Sequence, residues 1–228
     1  MQAIILAGGR GTRLGAVVPH LPKPMAPIRS RPFLEILLDY LKAEGIREVV
    51  LSTGYMSETI VSYFGTQYDT ISIQYVIEAR PLGTGGAIKR ALREVTSDPV
   101  FVLNGDTFVK VDYRGMLAAH KEASSVMTLA LKHAEDVSRY GKAIVEAGRV
   151  VSFHEKGSSG PGLINAGVYL LTRSLFDPFN LPEAFSFENE FLYPKVAEIR
   201  PQAFITNDYF IDIGNPEDYQ RAQIELGR

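Results

Sequence analysis

Ala3-Ile4-Ile5-Leu6-Ala7 leads straight into Gly8-Gly9-Arg10-Gly11-Thr12-Arg13-Leu14, with Leu21-Pro22-Lys23-Pro24-Met25 a little further on. The apolar run reads as a strand that delivers the backbone into a loop. Glycine at positions 8, 9 and 11 leaves the loop amides unscreened, so their N–H groups are free to converge on phosphate oxygens. Arg13 adds a planar fork of donors and Lys23 a compact point charge, the pairing expected around a nucleoside triphosphate. Pro22 and Pro24 fix φ on either side of Lys23 and stiffen its approach.

Two common phosphate loops do not fit. A P-loop closes on Gly-Lys-Ser/Thr, but here Gly11 is followed by Thr12-Arg13. A dinucleotide fingerprint needs a helix directly after its third glycine and an acid about twenty residues on, whereas this stretch runs into Pro19, Pro22, Pro24 and Pro27.

At 228 residues and 46% hydrophobic, the chain can bury one sizeable core, and one domain over 1–228 is expected. A formal charge of −2 gives no basic footprint for nucleic acid, so any phosphate binding must be local. The absence of Cys removes disulfides and thiolate metal sites, fits a reducing compartment, and leaves oxygen ligands for any metal. No apolar run approaches the roughly 20 residues of a membrane span, and Met1-Gln2 leads into a strand rather than a basic signal. A soluble, cytoplasmic protein with neither a membrane nor a nucleic-acid partner is expected.

Apolar spacing predicts helices over 33–42, 56–64 and 83–95, alternating with strands over 3–7, 48–52, 71–77 and 100–103. Such alternation implies right-handed crossovers and a mainly parallel sheet, with ligands at the carboxyl ends of the strands. From 126 onward the pattern changes: runs at 126–131, 142–146, 149–155 and 163–171 are separated by short turns, which implies antiparallel additions. A helix over 187–199, interrupted or kinked at Pro194, precedes strands at 203–206 and 209–213. A last helix over 216–226 has Asn215 as its N-cap and Pro216 at its first position. The expected fold is α/β: a Rossmann-like three-layer αβα arrangement with a mixed, mainly parallel central sheet. Residues 1–125 form its nucleotide-binding half and 126–228 its second half.

Asp106, in Asn104-Gly105-Asp106, and Asp212, in Ile211-Asp212-Ile213-Gly214, each end a predicted strand. Either alone is an ordinary turn acid. Together, carboxylates from separate strand ends can share one Mg²⁺, which favours few protein oxygens plus substrate phosphates and water. In Pro81-Leu82-Gly83-Thr84-Gly85-Gly86-Ala87 the missing side chains would let a flat ring lie against a helix start, although a Gly-rich N-cap has the same composition. No two of the four His have metal-ligand spacing, and His20 and His154 read as polar loop residues.

AGGRGTRL and PKPM together resemble the signature of the sugar-1-phosphate nucleotidylyltransferases, and the likeness extends from Gly8 to the Asp212 segment. It implies the nucleotidyltransferase type of fold and the reaction of NTP with a sugar 1-phosphate to give NDP-sugar and pyrophosphate, for surface polysaccharide synthesis. Carried over by position, Arg13 and Lys23 are catalytic, and Leu6, Ala7, Gly8, Gly9, Gly11, Thr12, Arg13, Glu78, Gly83, Thr84 and Asp106 hold the nucleotide. Asn104, Tyr140, Gly141, Glu155, Lys156, Asn165 and Gly167 hold the sugar phosphate, with Lys156 a second phosphate-binding lysine, and Asp106 and Asp212 bind the Mg²⁺. The Leu-Gly-Thr form at 82–84 looks like the guanylyl branch, which makes GTP the expected partner, with Glu78 or a nearby carbonyl as acceptor for the guanine edge. Within that branch the loop and LGTGGA are most similar to enzymes acting on D-glycero-α-D-manno-heptose 1-phosphate, with mannose 1-phosphate the nearest competitor. Arg80 departs from the acid found there in many relatives, and Gly157 departs from the Pro that often follows the lysine. A homodimer is compatible with the resemblance. A nucleotide-sugar-dependent glycosyltransferase would usually carry a second acid two residues before Asp106, where Asn104 stands; an inactive nucleotide sensor would have lost Arg13, Lys23 or an Asp.

Overall fold

The computed structural model describes residues 1–9, 18, 20–154, 157 and 159–227. In chain order the elements are β1 (Gln2–Leu6), a 3-10 turn (Lys23–Met25), β2 (Pro27–Ile28), β3 (Arg31–Pro32), α1 (Phe33–Ala43), β4 (Glu48–Thr53), α2 (Ser57–Phe64), β5 (Gln67–Tyr68), β6 (Ile71–Ile77), α3 (Gly83–Ala91) and β7 (Val100–Asn104). There follow β8 (Thr107–Val109), α4 (Tyr113–Glu122), β9 (Met127–Ala134), β10 (Lys142–Glu146), β11 (Arg149–His154) and β12 (Gly162–Leu171). A π-helix (Phe187–Leu192), α5 (Tyr193–Ile199), β13 (Gln202–Thr206), β14 (Phe210–Asp212) and α6 (Pro216–Glu225) complete the described chain.

One ten-stranded sheet runs β10-β11-β13-β9-β12-β7-β1-β4-β6-β5. Its β7-β1-β4-β6 block is parallel, whereas β12 enters antiparallel between β7 and β9; in the second half only β13 against β9 is parallel among the described pairings. The side-chain period of two sorts β1 between the layers. Ala3 and Ile5 join α1, α2, α4 and α6 on one face, while Ile4 joins α3, the π-helix and α5 on the other. Helices on both faces give the three layers. In α1, Phe33, Leu34, Leu37, Leu38 and Leu41 form a buried stripe, and Gly45 at φ +89° carries the chain away from its end.

Four elements depart from the sequence reading. The helix α4 escapes the periodicity because Gly115 interrupts its first turn, yet Asp112 caps it by accepting from Gly115 N at 2.9 Å. The α3 helix stops at Ala91 instead of continuing to 95. The segment 209–213 does not join the main sheet; its β14 pairs antiparallel with β8, Asp212 opposite Thr107. The interruption expected at Pro194 takes the form of a π-helix that hands over to α5 with Pro194 in its first turn, so the missing N–H falls where the π pattern gives way to the α pattern.

Candidate active site

The carboxyl ends of β1, β4, β6 and β7 surround a cleft of about 550 Å³. Leu6, Ala7, Gly8 and Gly9 line it at the end of β1, where Ala7 N donates to Ser52 O at 2.7 Å. Gly8 passes so close to β4 and β6 that a Cβ would meet Gly54 N at 3.3 Å and Glu78 Oε1 at 3.1 Å, whereas no described residue lies within 4 Å of a Cβ on Gly9. Gly11, Thr12, Arg13, Glu155 and Lys156 lie outside the described residues.

The small β8/β14 sheet brings the two acids together. Ile213 N donates to Asp106 O at 3.0 Å, clamping the turn after β7 onto the end of β14. Asp212 Oδ1 accepts from Gly214 N at 2.7 Å, and Thr107 Oγ1 donates to Asp106 Oδ1 at 3.2 Å. Between them comes Lys23, on the 3-10 turn between Pro22 and the buried Pro24. Its ammonium donates to Asp106 Oδ2 and stands 3.9 Å from Asp212 Oδ1, with the lysine side chain 11% exposed. Among the described residues no three His, Cys, Asp or Glu side chains cluster for a metal.

Glu78 ends the cleft at the β6 side. Its Oε2 accepts from Leu82 N at 3.0 Å, which folds the 79–82 loop back, and its Oε1 lies by Ser52 and Gly8. The glycines of the 83–86 segment face a different neighbour from the one their composition suggested. Gly85 N donates to Phe185 O at 2.9 Å, and Cβ atoms on Gly83, Gly85 and Gly86 would collide with Phe185 and Glu183 at 2.5, 2.1 and 2.3 Å. The missing side chains admit the chain's own 183–185 segment, while Gly83 and Thr84 still line the cleft. Arg80 pairs with Glu183 over the rim, both largely exposed, a contact of little energetic weight.

On the second-half side, Asn104 at the end of β7 lines the cleft and abuts Gly167, where a Cβ would stand 2.7 Å from Asn104 Nδ2. Gly167, at φ +72°, sits in a bulge of β12 against β9 between Asn165 and Tyr169, an irregularity of the kind that re-aims side chains beside a site. Asn165 is turned into the wall: Nδ2 donates to Tyr169 Oη at 2.9 Å, and Oδ1 accepts from Gly167 N at 3.0 Å. Tyr140 packs edge-on to Phe210 of β14 at 5.7 Å with the Arg139 guanidinium over its ring, and burial raises its hydroxyl pKa. Gly141, at φ +80°, closes that turn by donating to Val137 O. Tyr140, Gly141, Asn165 and Gly167 are not among the described residues lining the cleft; they lie behind Asn104 and beside the Asp212 segment. Sequence reasoning missed Ser52, Gly54, Tyr55 and Glu188, all cleft-lining. The Thr53-Gly54-Tyr55 turn after an apolar strand was the available signal for Gly54 and Tyr55.

The chain matches the family model described as Nucleotidyl transferase over residues 2–227 and belongs to that family. It is 50% identical over 226 residues to the D-glycero-alpha-D-manno-heptose 1-phosphate guanylyltransferase of Aneurinibacillus thermoaerophilus, covering 99% of this chain and 98% of that one. Among solved structures, HddC from Yersinia pseudotuberculosis superposes with a TM-score of 0.89 at 37% identity, over 99% of each chain. The same protein complexed with GMP-PN superposes with a TM-score of 0.86, again over 99% of each chain.

Proposed function

We propose that the chain transfers GMP from GTP to D-glycero-α-D-manno-heptose 1-phosphate, releasing pyrophosphate. The observation that carries the reading is the 50% identity, end to end, with a guanylyltransferase of that sugar. The cleft chemistry supports it. A sugar phosphate, with a second pKa of about 6, is largely a dianion at neutral pH and attacks the α-phosphorus without a general base. A new bond forms from the sugar-phosphate oxygen to the α-phosphorus as the bond to the β-phosphate oxygen breaks, and the electron pair leaves on pyrophosphate. The protein's task is to bring two anions into line and offset their repulsion. Lys23 supplies charge at the cleft floor; Arg13 and Lys156 join it by their positions in the sequence.

Asp106 and Asp212 fit a hard cation: both offer carboxylate oxygens, the ligand type such a cation takes. They would hold Mg²⁺, which would neutralise phosphate charge there. At the opposite end of the cleft, Glu78 Oε1 would accept from the guanine N1 and N2 edge, with Gly8, Gly54 and Tyr55 around the ring. Residues 1–125 handle the nucleotide and 126–228 the sugar within one unit.

The test is pyrophosphate release with each of four NTPs against a panel of sugar 1-phosphates. GTP with heptose 1-phosphate should give the highest kcat/KM, with mannose 1-phosphate a slow substrate. Equal kcat/KM for the two sugars would refute the heptose assignment, and preference for a pyrimidine nucleotide would refute the guanylyl one.

A further inference from the structure

Glu188 stands in the first turn of the π-helix, and its carboxylate is fixed from two sides. Tyr169 Oη donates to Oε1 at 3.1 Å and Thr84 Oγ1 to Oε2 at 3.2 Å. Each anchor is itself held: the fully buried Tyr169 accepts from Asn165, and Thr84 Oγ1 accepts from Phe187 N at 2.8 Å. A carboxylate offers about four acceptor positions, and two donors occupy two of them. Among the described residues no further donor takes the others, and Glu188 lines both the main cleft and a second, open recess of about 440 Å³, which shares Gly83, Thr84 and Glu188 with it and is lined also by the 184–186 segment and Glu190.

Position across the sheet decides which substrate meets this carboxylate. Glu78 ends β6 at one side, Asp106 follows β7, and Tyr169 belongs to β12 on the far side of β7. Tyr169 holds Glu188 from the β12 side, away from Glu78, while Thr84 holds it from the start of α3. A fixed anion there repels phosphate and accepts from hydroxyl groups, and its rigid anchoring means that no ordering cost is left for the moment of binding. We propose that Glu188 reads hydroxyl groups of the sugar 1-phosphate and that the recess beside it takes the part of the sugar furthest from the phosphate.

The inference rests on the proposed function, and the experiment separates the two. Wild-type pyrophosphate release from GTP and heptose 1-phosphate is measured first; its absence overturns the function and this role with it. Glu188→Gln then removes the charge at constant size, and Glu188→Asp keeps the charge but withdraws it. Both should raise KM for heptose 1-phosphate roughly tenfold or more, as losing a hydrogen bond to a charged group does. KM for GTP should stay within about twofold, and KM for mannose 1-phosphate, which lacks the terminal carbon, should rise less than that for the heptose. Tyr169→Phe, which removes an anchor and spares the carboxylate, should give a smaller rise than either. Unchanged KM for heptose 1-phosphate, an equal rise for GTP, or equal rises for the two sugars would each overturn the proposal.

Discussion

Gly85 lies under the ring of Phe185 so closely that a Cβ on the glycine would stand 2.1 Å from Phe185 Cε2. The ring is held in turn by Phe176 at 5.7 Å and Phe191 at 6.5 Å, so it has nowhere to retreat. Gly85→Ala should therefore cost about 1–3 kcal/mol by overpacking. In a chain of this length each kcal/mol lowers Tm by about 2–4 °C, so thermal unfolding should show a fall of several degrees. An unchanged Tm would mean that the 183–185 segment yields freely.

Lys23→Ala should leave the fold intact, because the lysine lies on a short turn at the cleft floor rather than in either core. It removes a charge-assisted contact worth about 1.5–3 kcal/mol, so kcat/KM should fall roughly 10- to 100-fold. Kinetics beside a far-UV spectrum checks both halves of the statement. Retained turnover would remove Lys23 from the catalytic assignment.

The metal assignment predicts that EDTA abolishes activity and that added Mg²⁺ restores it. Asp106→Asn and Asp212→Asn should each abolish Mg²⁺-dependent turnover, since an amide is a poorer ligand for a hard cation than a carboxylate. Mg²⁺ titration of the nucleotide complex by calorimetry should show weakened binding in both variants. EDTA-resistant wild-type activity would refute the site.

His120 supplies a pH dependence of stability. It is 3% exposed, its Nδ1 lies 2.8 Å from Thr128 Oγ1, and its pKa is lowered, chiefly by burial. The unfolded chain therefore binds this proton more readily than the folded one. The stability that His120 contributes is present above its unfolded pKa of about 6.5 and is lost as pH falls from there through the lower folded value. Denaturant unfolding of the wild type and His120→Gln at pH 7.5 and 5.5 should show the wild type losing more stability on acidification. Parallel losses would mean that His120 is not responsible.

The first half of the fold was legible because its buried strands are continuous apolar runs and its helices carry clean stripes such as 33, 34, 37, 38 and 41. The helix α4 was not, because Gly115 breaks its pattern and only the Asp112 cap marks it. The acids and Lys23 could be named from motifs, but their convergence depends on the pairing of β8 with β14, which no local pattern encodes. The glycines at 83, 85 and 86 were legible as a close approach, yet what approaches comes from about a hundred residues later in the chain. Glu188 was illegible for a related reason: it is an acid in a polar-looking helical turn, and only the π-helical geometry and the hydroxyls of Tyr169 and Thr84 give it a place.

The strand β7 has neighbours of opposite kinds, parallel β1 on one side and antiparallel β12 on the other. Its last residue, Asn104, touches both the cleft and Gly167 of the β12 bulge. There is no seam along which the protein can be cut. Chimeras that exchange whole halves between relatives of different sugar preference would have to re-register β12 against β7, where a one-residue slip turns every side chain to the wrong face. Specificity is better transplanted through the loops and the π-helix, which can change while the sheet beneath them is inherited unchanged.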